Sequence, residues 1–256
     1  MKCVAKTALI TGASSGIGRE TAKILSKKGF KVILTARREE RLRELADSLP
    51  GKSRIITCDL SETEECIRLY ETVKNEKISV LVNNAGFGKL GEFTEIPLEA
   101  ELEMIDVNVK AVHTLTKLFL KDFKAADRGY ILNVASSAGL MPGGPLMAAY
   151  YATKAYVVSL TSAVYQELRN DGSNVHISAL CPGPVDTEFN DVAQCSFAVK
   201  GITPEYCAKK AVEGMFGGKL IIVPETTMKA GTAASRILPR KLILGMTGGI
   251  QSRKKQ

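Results

Sequence analysis

The chain has 256 residues, 45% of them hydrophobic, and a mean hydropathy of +0.02, which is an ordinary globular composition with enough apolar residues for a large core. Its net charge of +8 is concentrated in residues 229–256, where Lys229, Arg236, Arg240, Lys241, Arg253, Lys254 and Lys255 meet no acid. No binding motif or aromatic interleaving accompanies those bases, so nucleic acid is not an expected partner.

No apolar run reaches the roughly 18 residues of a membrane span. The segment Met1-Lys2-Cys3-Val4-Ala5-Lys6 leads at once into an apolar run and a glycine motif, which does not read as a secretory signal. A cytoplasmic location is expected. Cys3, Cys58, Cys66, Cys181, Cys195 and Cys207 form no Cys-x2-Cys pair, and His113 and His176 lie far apart. Reduced thiols and no metal site are therefore expected.

Apolar runs rich in β-branched residues read as buried strands at 7–10, 32–35, 54–57, 80–82, 130–134, 175–180 and 219–223. Amphipathic stretches between them predict helices near 17–28, 39–48, 62–74, 98–124, 148–169 and 204–216. Ser61-Glu62-Thr63-Glu64 has the form of a capping box at the third helix. Alternation at this spacing predicts right-handed βαβ units. The fold class is α/β, a single doubly wound domain over 1–225, with a parallel sheet of about seven strands and helices on both faces. Residues 226–256 are expected as a basic extension, helical or partly flexible.

The first strand runs into Thr11-Gly12-Ala13-Ser14-Ser15-Gly16-Ile17-Gly18 and then a helix. Glycines there let the backbone turn sharply and let a pyrophosphate approach the N–H groups of the helix N-terminus. Gly12, Ser14, Ser15, Gly16, Ile17 and Gly18 are the candidate cradle. The second strand ends in Ala36-Arg37-Arg38. An acid at this place would bind the ribose 2′-hydroxyl of NAD. Ala36 cannot do so, whereas Arg37 and Arg38 can pair with a 2′-phosphate, so NADP(H) is the expected cofactor. Asp59-Leu60 ends the third strand, placed to reach an adenine edge, and Asn83-Asn84-Ala85-Gly86 ends the fourth. Tyr150 and Lys154 stand one helical turn apart, and an ammonium beside a phenol favours the phenolate.

In this order and spacing, Thr11-Gly12-x3-Gly16-x-Gly18, Asn83-Asn84-Ala85-Gly86, Asn108, Ser136/Ser137, Tyr150-x3-Lys154 and Pro182-Gly183 resemble the short-chain dehydrogenase/reductase family, from about residue 4 to 224. The resemblance implies a Rossmann-type domain that moves a hydride between a nicotinamide cofactor and a carbonyl or alcohol carbon. It implies Tyr150 as general acid/base, and Lys154 as the group that lowers its pKa and binds the nicotinamide ribose. It makes Asn108 a water-holding relay and gives the substrate oxygen a serine partner. Asn84, Ala85, Gly86, Pro182, Gly183, Val185 and Thr187 are implied to contact the cofactor. The family's spacing from the Tyr selects Ser137, whereas its spacing from the strand Asn133 selects Ser136. Strand register is rigid and loops absorb insertions, so Ser136 is preferred and an extra residue is assigned to Leu140-Met141-Pro142-Gly143-Gly144-Pro145.

Leu140-Met141-Pro142 and Leu146-Met147 are expected to line the cleft and favour a bulky apolar ketone, of hydroxysteroid or similar type. A 3-oxoacyl thioester reductase is the second enzyme reading. A dinucleotide-sensing regulator is disfavoured because the catalytic set is present. Tyr151 and Tyr156 lack a Lys at +4 and are assigned to packing or the substrate wall. The tail resembles that of acyl-chain and steroid-type ketone reductases; it can pack on the cleft, on another subunit, or weakly on a membrane surface. The resemblance implies a homodimer or homotetramer through the helices after the fourth and fifth strands.

Overall fold

The computed structural model describes residues 6–193, 201–235 and 237–252. Cys3, Cys195, Arg236, Arg253, Lys254 and Lys255, named above, lie outside the described residues. Strands β1 (Thr7–Thr11), β2 (Lys31–Ala36), β3 (Ser53–Thr57), β4 (Ile78–Asn83), β5 (Gly129–Val134), β6 (Val175–Leu180) and β7 (Ile221–Ile222) form, among the described residues, a seven-stranded parallel sheet in the order β3-β2-β1-β4-β5-β6-β7. Around it run α1 (Gly16–Lys27), α2 (Glu39–Ser48), α3 (Thr63–Val73), α4 (Leu98–Ile105), α5 (Val112–Ala125), α6 (Ala148–Asn170), α7 (Phe189–Val192), α8 (Pro204–Phe216), α9 (Thr226–Ala234) and α10 (Arg240–Ser252).

The sheet is buried on both faces because successive side chains point to opposite sides. Ala8, Ile10, Val32, Leu34, Val80 and Val82 join one core with Leu25 of α1, Leu45 of α2 and Met215 of α8. Leu9, Ile33, Leu81, Ile131 and Ile177 join a second core with Leu69 of α3, Phe119 of α5 and Leu168 of α6. Each large apolar side chain buried this way contributes about 1.5–3 kcal/mol relative to exposure. The central strands therefore need continuous apolar runs, as the sequence has.

The edges depart from that expectation. β3 pairs only with β2 and is half-buried along its length, with Arg54 and Thr57 exposed. The run at 219–223 contributes only the two residues of β7. The capping box does not form: α3 begins at Thr63 without a side-chain cap, and the Ser61 hydroxyl instead donates to Asp59 at 2.9 Å. The long helix expected over 98–124 is continuous, but Asp106–Ala111 is wound as a π-helix between α4 and α5. π-segments cluster at functional sites, and this one carries Asn108.

β1 lies between β2 and β4, so the connections diverge there. The crevice beyond the carboxyl ends of β1 and β4 is where open α/β sheets bind ligands. A buried network fixes this edge. Asn83 donates to Thr116 (3.0 Å) and Asn133 (2.9 Å), and Asn133 donates to Thr161 (3.0 Å). β4, β5, α5 and α6 are thereby tied in one register.

Candidate active site

A cleft of about 1050 Å³ opens along the carboxyl edge of the sheet. Its floor is the turn from β1 into α1. Gly12 and Gly16 both have positive φ, 62° and 53°, a backbone that residues with a Cβ adopt at a cost. A Cβ at Gly18 would fall 2.4 Å from Asn84 Nδ2 and 2.5 Å from the Gly12 carbonyl. The turn is braced from β4: Asn84 Nδ2 donates to the carbonyls of Thr11 (3.0 Å) and Gly12 (3.1 Å), and Thr11 Oγ1 accepts from the N–H groups of Asn84 and Ala85. Asn84 lines the cleft, yet its side-chain amide is committed to holding the turn.

At one end of the cleft Arg38 Nη2 donates to Ser14 Oγ (3.0 Å) and Ser15 Oγ (3.3 Å). Arg37 faces the other way, pairing with Glu103 at 3.1 Å and standing 4.0 Å from Asp59. Asp59 and Leu60 line the same end, with Asp59 Oδ1 accepting from the Ser61 N–H. Two residues the motifs did not single out complete this corner. Glu188, next to Thr187, accepts from Arg38 at 2.8 Å and from Arg41. The Arg41 hydrogen bond and the Arg38 pair hold the Glu188 carboxyl below the usual range, against burial.

At the other end α6 presents Tyr150 and Lys154, both buried, at 8% and 4% exposure. The Lys154 ammonium lies 5.9 Å from the centre of the Tyr150 ring and donates to the Val134 carbonyl at the end of β5 (2.9 Å). Burial pushes Lys154 down to about 8, so it remains largely charged at pH 7 while weakly solvated. Asn108 stands beside it. Its Oδ1 accepts from the Phe87 N–H (3.1 Å), and its Nδ2 donates to the Phe87 carbonyl (2.8 Å) and Thr153 (3.1 Å). A Cβ at Gly86 would fall 2.8 Å from Asn108 Oδ1 and 3.1 Å from Lys154 Nζ. Gly86 therefore lets helix α6 and the π-segment meet.

Ser136 and Ser137 both line the cleft. The Ser136 hydroxyl accepts from the Ala138 N–H at 3.1 Å, capping the 3₁₀ turn Ser137–Leu140. Ser137 is buried, and its N–H donates to the Pro182 carbonyl. Pro182, Gly183, Val185 and Thr187 form the facing wall, with Thr187 against Gly16. Phe189 packs on Tyr150 with ring centres 5.4 Å apart.

The roof comes from the tail. Met228, Thr232, Leu238, Ile243, Met246 and Gln251 of α9, α10 and their connection line the cleft. Thr247 donates to the Gly143 carbonyl at 3.3 Å, and Gln251 Nε2 donates to Tyr151 at 2.7 Å. The basic extension is thus placed on the cleft. Of the loop residues expected there, Met141 and Met147 line it, whereas Leu140 packs inward and Pro142 and Leu146 are not part of the lining. Tyr151 is wall, as expected. Tyr156 is exposed and bonded to His113. Among the described residues no cluster of His, Cys, Asp or Glu could hold a metal ion, and no helix is long and apolar enough to cross a membrane.

The model of the family described as short chain dehydrogenase matches residues 6–195, most of the chain. The chain belongs to that family. Its members are oxidoreductases, and this dehydrogenase is 35% identical over 186 residues to a 3-oxoacyl-[acyl-carrier-protein] reductase of Rickettsia bellii, covering 73% of this chain and 75% of that one. A short-chain dehydrogenase from Sphingobium yanoikuyae, solved in complex with NADPH, matches with a TM-score of 0.81 and 27% identity over 92% of this chain and 94% of the other. A short-chain dehydrogenase/reductase from Burkholderia phymatum, solved in complex with NAD, matches with a TM-score of 0.82 and 26% identity over 91% and 93%.

Proposed function

We propose that this dehydrogenase transfers a hydride between NADP(H) and a carbonyl/secondary-alcohol pair on a bulky apolar substrate. The observation that carries the proposal is the buried Lys154 ammonium beside Tyr150, at the carboxyl edge of the sheet and facing the cleft.

The residues present fit a phosphorylated dinucleotide. Gly12, Gly16 and Gly18 leave a cradle that side chains would fill, and Arg38 with Ser14 and Ser15 gathers cationic and hydroxyl donors at one corner. Arg37, Asp59, Leu60, Ala85 and Gly86 extend that lining toward the adenine end and the centre. When bound, the cofactor supplies or accepts the hydride at its nicotinamide. In reduction, Tyr150 gives its phenolic proton to the substrate oxygen, and Lys154 stabilises the phenolate left behind. The Ser136 hydroxyl, with its lone pair engaged by Ala138 N–H, donates to the same oxygen as charge develops. Asn108 holds the Lys154 end of the site by pinning Phe87 and Thr153. Met141, Met147, Met246 and Leu238 supply an apolar wall for the rest of the substrate.

Tyr150→Phe tests this. Loss of a general acid costs about 10²–10⁴-fold, so ketone turnover with NADPH should fall by that much; unchanged turnover would end the proposal. Ser136→Ala against Ser137→Ala separates the serines: a loss confined to Ser137→Ala would reverse the assignment. A 3-oxoacyl thioester reductase is the second reading, favoured by the Rickettsia bellii relative, and activity on acyl thioesters exceeding that on free ketones would select it. The proposal includes a homodimer or homotetramer through α4–α6, where Leu98, Leu102 and Tyr156 are exposed; a monomeric mass by light scattering would exclude that.

A further inference from the structure

The roof brings an amide into an apolar wall. Gln251, in the last turn of α10, is 2% exposed and lines the cleft with Tyr151, among Met141, Met147, Ile243 and Met246. Its Nε2 donates to the Tyr151 hydroxyl at 2.7 Å. Its Oε1 is buried, and among the described residues no donor reaches it. Buried acceptors normally have a partner, and an orphan destabilises the fold that holds it. Thr247, one turn earlier and also in the lining, does not supply one, because its hydroxyl is turned to the carbonyls of Gly143, Ile243 and Leu244. Tyr151 has the complementary deficit. Its oxygen accepts from Gln251, which leaves its proton for another acceptor, and no described residue takes it. Burial pushes the phenol up, against the Gln251 bond, so the proton stays on at neutral pH. The ring is fixed in place: a Cβ at Gly144 would fall 2.2 Å from it, and the Tyr150 ring stands edge-on to it with centres 6.4 Å apart.

A phenol donor and an amide acceptor thus stand side by side in the cleft, each lacking the partner the other kind of group would need. A hydroxyl fills both roles at once, since its oxygen accepts and its proton donates. We propose that Tyr151 and Gln251 form a second recognition point for the substrate, which takes a hydroxyl group lying apart from the reacting carbonyl: Tyr151 donates to that hydroxyl's oxygen, and Gln251 Oε1 accepts its proton. The inference rests on the hydride-transfer reading above and narrows its substrate class to hydroxylated apolar ketones and the matching diols. Tyr151 and Gln251 are specificity residues; the proton and hydride move at Tyr150 and the cofactor as already described. A site built to bond a substrate hydroxyl rejects the analogue without one, because that analogue leaves buried polar groups unpaired. One net hydrogen bond corresponds to about 2- to 12-fold in an equilibrium or specificity constant, and two together to about 5- to 100-fold.

The test uses the full chain, its Q251M and Y151F variants, and matched methyl-substituted trans-decalones. Each pair carries either a hydroxyl or a hydrogen at the same methyl-bearing carbon of the ring remote from the carbonyl, in several positional isomers. The hydroxyl is tertiary, so its carbon has no hydride to give and only the ketone can react. Steady-state reduction is followed with NADPH and with NADH, and the readout is the ratio of kcat/KM for the hydroxylated ketone to that for its parent in one preparation, from which any loss of folded protein cancels. In the wild type at least one isomer should be favoured about 5- to 100-fold, chiefly through KM. Q251M and Y151F should each shrink that ratio by about 2- to 12-fold. The proposal is overturned if no hydroxylated isomer is favoured by the wild type. It is equally overturned if both variants keep the wild-type ratio while KM rises alike for parent and hydroxylated ketones, since the Gln251–Tyr151 bond is then only a latch for α10. No turnover of any decalone with either cofactor removes the hydride-transfer reading itself, whereas equal turnover of parents and hydroxylated isomers removes only the second recognition point.

Discussion

Lys154→Met should make the protein more stable at neutral pH while removing its chemistry. Burial pushes Lys154 from the ordinary lysine value of 10.5 to about 8. Each unit is worth about 1.4 kcal/mol, so holding the charged form in the fold costs about 3 kcal/mol at pH 7. Methionine removes that cost but strands the Val134 carbonyl, which now accepts from Lys154; an orphaned buried acceptor costs about 1–3 kcal/mol. The variant should come out about 1 kcal/mol more stable at pH 7. The sign of the pH dependence follows from linkage. Below about pH 8 the lysine is charged in both states, and the penalty is constant. Between about 8 and 10.5 the folded lysine is neutral while the unfolded one is still charged, so the wild type recovers and the gap closes. The buried thiols of Cys58, Cys66, Cys181 and Cys207, pushed up to about 11–12 mainly by burial, act in the opposite sense. Their folded pKa is raised, so they lose stability as pH rises; Cys58, Cys66 and Cys207 do so in both proteins, whereas Cys181, which the Lys154 ammonium lowers against burial, rises further in the variant and helps close the gap. Urea unfolding of the pair at pH 7, 8.5 and 10 measures the difference. A variant less stable than the wild type at pH 7, or a gap that does not change with pH, would refute the account.

The same group sets a kinetic expectation: kcat/KM for ketone reduction should fall above about pH 8 as Lys154 loses its proton, since that parameter reports the free enzyme, and a profile flat to pH 9.5 would contradict it. Asn133→Ala should cost about 1–3 kcal/mol in urea unfolding, because Asn83 and Thr161 lose their partner in the sealed network between β4, β5 and α6; a loss under about 0.5 kcal/mol, the size of an ordinary surface change, would show that the network is not structural. Gly144→Ala puts a Cβ within 2.2–2.5 Å of the Tyr151 ring, so it should destabilise by about 1–3 kcal/mol through overpacking and raise KM for apolar ketones by shifting the wall. Normal stability together with normal KM would show that the loop yields freely.

The central strands were legible because a sheet covered on both faces needs uninterrupted apolar runs, and β1, β2, β4, β5 and β6 have them. β3 was harder: Arg54-Ile55-Ile56-Thr57 carries the apolar core of a strand, but its place at the sheet edge leaves it half-buried. The π-segment at Asp106–Ala111 left no trace in the periodicity, since one slipped turn keeps the apolar face. Local chemistry also misled at Ser61, where a nearer carboxylate competed for the hydroxyl. The glycine turn and the Tyr150–Lys154 pair line the cleft where short spacing places them, whereas the brace from Asn84 to the turn spans 72 and 73 residues and has no local signal. Arg41 with Glu188, and Gln251 with Tyr151, were not found. They lie 147 and 100 residues apart, and nothing local in either member announces the other.

The cleft is built from two stretches of chain, one inside the family match and one beyond it. The family match stops at residue 195, whereas the roof is made by α9 and α10, beyond it. The floor of the cleft and its roof are therefore separable along the chain, with the Thr247–Gly143, Gln251–Tyr151 and Gly183–Glu225 hydrogen bonds among the contacts that join them. A different lid grafted after β7 would meet the same glycine turn and Tyr150–Lys154 pair. Such an architecture allows the roof of the cleft to drift or be redesigned while its floor stays as it is.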